Sequence, residues 1–128
     1  MRIILSLILV AHGVAHLPGF VVPWRLASPP AMPYRTTVLG GSLELGAAGI
    51  RVVGLLWLAA GLGFVAAAIA IFRGSPAWPT LTLAVALFSL LLSVVGWPDS
   101  RIGVVVNLAL LAYLIVGGRA GWLPGAPT

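Results

Sequence analysis

Ile3-Ile-Leu-Ser-Leu-Ile-Leu-Val-Ala-His12-Gly-Val-Ala-His16-Leu-Pro18-Gly19-Phe20-Val-Val22 decides what kind of fold this chain has. It is apolar over about the 20 residues a helix needs to cross a bilayer core, yet it holds the only two histidines of the protein. Imidazoles four residues apart share one face of a helix, with Cβ atoms about 6 Å apart. Polar side chains within a membrane span face protein or water rather than lipid, so this face is expected to look into a bundle. Pro18 has no amide hydrogen and Gly19 loosens the same turn, which predicts a kink just beyond His16. The same opening is how a secretory signal peptide begins, with Ala11-His-Gly13 as its small-residue cleavage site. Three further apolar runs favour the membrane span.

Composition points the same way. Across 128 residues, 61% are hydrophobic and only nine are charged, seven arginines and two acids. A water-facing domain carries charge on roughly a quarter of its residues, so the chain reads as an integral membrane protein. The arginines stand singly at the ends of apolar runs rather than in a patch, which argues for membrane anchoring and against a nucleic-acid partner. With no cysteine, disulfides, thiolate metal sites and thiol redox chemistry are excluded.

Residues 3–22 form the first predicted span. The Pro- and Gly-rich stretch 23–49 reads as a lid lying on the membrane surface, with a short helix around Thr36 to Leu45. The second span is 52–72, where Gly54, Trp57, Gly61 and Ala68 make a small-residue seam for close helix approach. Ser75-Pro76 reads as a helix start, with Trp78 as an interface anchor, and the third span is 77–96. Within it Thr82, Ser89 and Ser93 either bond carbonyls one turn back or reach across an interface. Trp97-Pro-Asp-Ser-Arg101 is a tight turn, Asp99 is a candidate N-cap, and 102–118 is the fourth span, holding Asn107. No pattern emerges in the tail with Trp122, Pro124 and Pro127. The expected fold is all-α: one transmembrane domain over 1–128, a membrane-embedded antiparallel four-helix bundle.

An even number of spans puts both termini on one side. Counting depth at about 1.5 Å per residue, His12 falls near mid-membrane, and His16, Ser89, Ser93 and Asn107 fall in the half nearer the lid. Glu44, Arg51, Asp99 and Arg101 gather at that boundary, whereas the terminal side has only Arg2, Arg73 and Arg119. This asymmetry predicts a one-sided polar pocket, floored near His12 and roofed by the lid, that binds a small hydrophobic or amphipathic ligand. His12, His16 and Asp99 are the candidate catalytic groups, since a carboxylate-oriented histidine moves protons near neutral pH. Arg51, Trp57, Ser89, Ser93, Arg101, Asn107 and Glu44 are the candidate ligand contacts. Two alternatives stand beside ligand binding: a histidine-dependent membrane enzyme acting on a lipid or isoprenoid, and a structural or accessory subunit of a membrane complex or small transporter. No cofactor is required, although His12 and His16 could share a zinc or other divalent ion with a carboxylate as third ligand. Membrane lipid is the expected partner, with a homodimer or a partner membrane subunit as further options. If Arg51 and Arg101 belong to the site, the remaining arginines favour both termini in the cytoplasm.

Three segments together resemble a family of small, uncharacterised four-span bacterial membrane proteins. They are His12-Gly-Val-Ala-His16-Leu-Pro-Gly19-Phe20, Arg51-Val-Val-Gly54-Leu-Leu-Trp57, and Trp97-Pro-Asp99-Ser-Arg-Ile-Gly103-Val-Val-Val-Asn107. The likeness covers the four spans but not the long loop, which is more extended here. It implies the membrane fold and that these positions act as a unit, and it implies no activity.

Overall fold

Backbone amides in hydrocarbon must be satisfied within the chain, which favours helices, and each apolar run closes into one. The computed structural model describes residues 1–125. Helix α1 (Arg2–Val14) continues after a break into α2 (Leu17–Val21), followed by α3 (Gly46–Phe72), α4 (Trp78–Val95) and α5 (Arg101–Ala120). Taken as four units, Arg2–Val21, α3, α4 and α5 are all long and apolar enough to cross a membrane. The protein is an all-α four-helix bundle, with the character of a multi-pass membrane protein.

The break falls at Ala15–His16, at and just before His16 rather than just beyond it, with Pro18 in the first turn of α2. The His16 amide bonds the Gly13 carbonyl (3.1 Å) and the Gly19 amide the His16 carbonyl (3.0 Å), so two successive turns tighten. The second span begins at Gly46 rather than at residue 52. Its glycines suggest a loop, but Gly46, at φ +71°, starts the helix, and its amide donates to the Glu44 carboxylate (2.8 Å). A carboxylate suits the positive end of a helix.

Three expectations about the connections and their flanks are corrected. The lid carries no α-helix around Thr36 to Leu45, only a single 3-10 turn at Leu39–Gly41. Strand β1 (Thr37–Val38) pairs antiparallel with β2 (Leu43–Glu44), Thr37 opposite Glu44, around a tight turn at Leu39–Gly41. Three consecutive residues there have positive φ, Leu39 (53°), Gly40 (64°) and Gly41 (90°), a conformation that glycine adopts freely and that breaks a helix. Helix α4 starts at Trp78, not at Ser75-Pro76, with Ser75 Oγ accepting from the Ala77 amide (3.3 Å). Trp78 is no interface anchor: it is buried in the core, and its indole N–H donates to the Pro124 carbonyl of the returning tail (3.0 Å). Pro127 lies outside the described residues.

Packing centres on α3, which touches α1, α2 and α4, while α5 packs on α4. At the α1–α3 crossing a Cβ on Gly13 would lie 2.8 Å from the Gly61 carbonyl, and one on Gly61 would lie 2.9 Å from the Gly13 carbonyl. Only glycine at both positions lets the two backbones touch. Toward the chain termini Leu5, Leu9, Phe64, Ala67, Ile71 and Leu114 form the apolar core. Helices α1 and α5 are barely in contact, and a shallow apolar groove runs between them.

Candidate binding site

One carbonyl fixes the chemistry of the site. Because the tightened turn sends the His16 amide to Gly13, the His12 carbonyl is left to the His16 side chain, whose Nδ1 lies 2.7 Å away. A carbonyl only accepts, so Nδ1 of His16 carries the hydrogen. At 3% exposure and with no carboxylate in contact, His16 is read as neutral, which makes its Nε2 an acceptor. The Ser89 hydroxyl donates to that nitrogen (2.7 Å). Ser89 Oγ then accepts from Asn107 Nδ2 (2.8 Å), which turns Asn107 Oδ1 toward His12. That oxygen accepts from Nε2–H of His12 (3.2 Å).

The result is a closed ring of four bonds, from His12 through Asn107, Ser89 and His16 back to His12, with every donor matched to an acceptor. Reversing the Asn107 amide would set two donors or two acceptors face to face. Every member is enclosed, with Ser89 and Asn107 fully buried, and such networks are stable only when complete. One nitrogen stays outside the ring. Neutral His12, protonated at Nε2, keeps a lone pair on Nδ1 that no described residue engages, and Nδ1 is not among the enclosed unpartnered atoms. His12 is among the residues that line the cavity above the ring.

Aromatic rings hold the imidazoles in place. The two histidine rings meet edge to face with centroids 4.8 Å apart. Phe64 packs 4.5 Å from His12 and 5.2 Å from His16, and Trp57 lies 5.2 Å from His16. Trp57 can sit there because Gly19 opposes it: a Cβ on Gly19 would fall 2.5 Å from the indole ring.

Above the ring is a cavity of about 440 Å³, floored by His12 and His16, walled by Trp57 and Val106, and roofed by the hairpin of the lid. Two links tie the roof to the α4–α5 turn. The Gly40 amide donates to the Trp97 carbonyl (2.8 Å), and Arg35 pairs with Asp99 (3.1 Å). The base of the lid is pinned to α3 by the Trp24 indole N–H, which donates to the Arg51 carbonyl (3.0 Å).

His12, His16, Ser89 and Asn107 come together, and Trp57 joins them at the cavity wall. Ser93 stands at the edge, 3.5 Å from Asn107 Nδ2, too long for a strong bond. Asp99 makes no hydrogen bond to either imidazole among the described residues; it lies at the mouth of the cavity, bonded to Arg35. Nor is it the N-cap of α5, a position held by Ser100. Glu44, Arg51 and Arg101 do not line the cavity. Arg51 stacks over Trp24, 5.6 Å from the ring. Glu44 is fully exposed, and bonds from the Thr36 side chain and the Gly46 amide hold its carboxyl below the ordinary value. The paired-histidine metal reading does not fit either. Three of the four ring nitrogens are engaged by protein groups, and no cluster of three His, Asp or Glu occurs among the described residues.

Two contributors escape the sequence reading. Phe64 shares the Trp57–Gly61–Ala68 face of α3, and that spacing is the signal that points to it. Arg35 sits in an irregular loop whose pairing with Asp99 spans 64 residues, and nothing local marks it. Compared with protein-family models, with curated proteins and with solved structures, the chain matches none. Fold and site therefore define a class only: a four-span helical membrane protein with a buried His–Asn–Ser–His ring beneath a lidded cavity.

Proposed function

We propose that the protein binds a small amphipathic molecule in the lidded cavity, with a hydroxyl or similar hydrogen-bond donor of the ligand bonded to His12 Nδ1. The observation that carries this reading is the direction of the ring, which leaves one acceptor, held rigidly, at the floor of a largely apolar space. Pockets for small molecules combine apolar walls with a few fixed polar points, and a preorganised acceptor costs little entropy on binding. Ser89 and Asn107 are positioning residues: they hold the ring from outside the cavity, while His16 closes the ring and shares the cavity floor with His12. The same geometry favours a second reading, proton transfer, because an unprotonated, oriented imidazole is also what a general base requires.

Arg51 and Arg101 lie outside the cavity, so the reason for setting them aside disappears. Orientation then rests on three arginines on the terminal side against four on the lid side, and the weighting toward cytoplasmic termini falls away.

The test is mass spectrometry of small molecules co-purifying with the wild type and with His12→Leu. A species enriched with the wild type and lost from a folded His12→Leu variant is expected. Identical content in the two preparations would overturn the proposal.

A further inference from the structure

The helices around the cavity pack as a chain with one seam left loose. The first span packs on α3, α3 on α4 and α4 on α5, whereas α5 and the first span are joined by the His12–Asn107 bond at the cavity floor and are otherwise barely in contact. Both sides of this seam line the cavity, with Ala15, Pro18 and Gly19 from the first span and Ile102 and Val106 from α5. Two of these are also surface residues: Ala15 is exposed, and Ile102 is 73% exposed. The cavity therefore reaches the outside of the bundle here.

Depth decides what that outside is. His12 stands near the middle of the span Arg2–Val21. At 1.5 Å per residue, Ala15 lies about 4–5 Å and Ile102 about 7–8 Å above the His12–Asn107 level, toward the lid. Both fall short of the roughly 15 Å that half a hydrocarbon core spans, so the seam faces acyl chains. None of its five residues has a polar side chain. The roof, by contrast, is fastened by three polar links, Gly40 to Trp97, Arg35 to Asp99 and Trp24 to Arg51.

We infer that the cavity takes its ligand sideways from the lid-side leaflet, through the seam between the first span and α5, and that the ligand is an uncharged amphiphile dissolved in the bilayer. A charge is costly within hydrocarbon, and the seam offers it no partner. At about 440 Å³ the cavity lies at the small end of ordinary ligand pockets, with room for one compact molecule. This rests on the binding proposed above and adds to it the route and the solubility class.

The chain has no cysteine, so one introduced thiol can report on access. Val53→Cys puts it on the α3 wall of the cavity, and Ser28→Cys supplies a reference thiol on the exposed part of the lid. Labelling of the full chain in nanodiscs is timed with lipid-soluble N-cyclohexylmaleimide and with a quaternary-ammonium maleimide confined to water. Adding Ala15→Trp and Ile102→Trp should fill the seam and slow the lipid-soluble reagent at Val53→Cys at least about tenfold. Adding Asp99→Asn, which loosens the roof, should leave that rate within about twofold. The charged reagent should label Ser28→Cys and spare Val53→Cys. Seam variants that label as fast as the parent, an acceleration by Asp99→Asn, or ready labelling of Val53→Cys by the charged reagent would each put the entrance beneath the lid and overturn the route. Ala15 and Ile102 stand on different helices, so each single variant serves if the double one fails to fold. Labelling makes no use of His12, so the route can fail with the binding reading intact, and failure of that reading shows separately in the His12→Leu comparison.

Discussion

Replacing His12 and Asn107 by leucine, singly and together, measures the bond that closes the ring. Asn107→Leu removes the 3.2 Å bond from His12 and the 2.8 Å bond to Ser89, while His12→Leu removes the first and leaves Asn107 Oδ1 without its donor. Hydrogen bonds between membrane helices contribute about 0.6 kcal/mol on average and up to about 1.7. These are fully enclosed, so about 1 kcal/mol each is the working figure, less than the cost of an orphaned buried group in a water-soluble core. Asn107→Leu should then cost about 2 kcal/mol and His12→Leu about 1 kcal/mol. The double variant should cost about 2 kcal/mol rather than the sum of 3, a coupling of about 1 kcal/mol. Reversible unfolding in mixed micelles, followed by fluorescence of the five tryptophans, gives all four stabilities. Additivity within about 0.3 kcal/mol would show that the two residues do not act together, and the ring would have to be abandoned.

Nitrogen-15 shifts of selectively labelled histidine should place the hydrogen on Nε2 of His12 and on Nδ1 of His16; the same tautomer at both positions would contradict the bond order. Ser89→Ala should lower stability by about 1–2 kcal/mol because it removes the donor to His16 and the acceptor of Asn107, whereas Ser93→Ala should change it by less than about 0.5 kcal/mol; chemical unfolding of the pair checks the contrast. Gly61→Ala should cost about 1–3 kcal/mol, since its methyl would sit 2.9 Å from the Gly13 carbonyl, and a thermal melt that matches the wild type would refute the backbone contact. Asp99→Asn should change global stability by under about 1 kcal/mol, because the Arg35 pair is solvent-exposed, yet it should speed proteolysis within residues 25–45, and the wild type should approach the variant's rate at high salt.

The four spans and the inward-facing histidine pair were legible because hydrophobic run length and helical spacing are local properties. So was the meeting of His12 with Asn107, since depth along antiparallel helices follows from residue count alone. The ring itself was not legible. It depends on which carbonyl the break at His16 releases: the missing amide of Pro18 by itself frees the carbonyl of Val14, four residues back, whereas the carbonyl that meets the His16 ring is that of His12. The charged boundary residues were misjudged for a related reason: depth groups Glu44, Arg51, Asp99 and Arg101 together, but the irregular lid decides which of them faces the cavity. The hairpin was hidden by its two-residue strands, too short to show alternation, and the buried Trp78 by a tail whose carbonyl reaches it from 46 residues away.

The touching backbones of Gly13 and Gly61 set how exactly the site can be reproduced from one molecule to the next. A crossing built from interlocked side chains can settle into several rotameric arrangements, but two main chains in contact have one separation. His12 is the immediate neighbour of that fulcrum and His16 lies less than a turn beyond it, so both imidazoles inherit its fixed spacing. Lipid-facing side chains can therefore vary widely with membrane composition without moving the floor of the cavity.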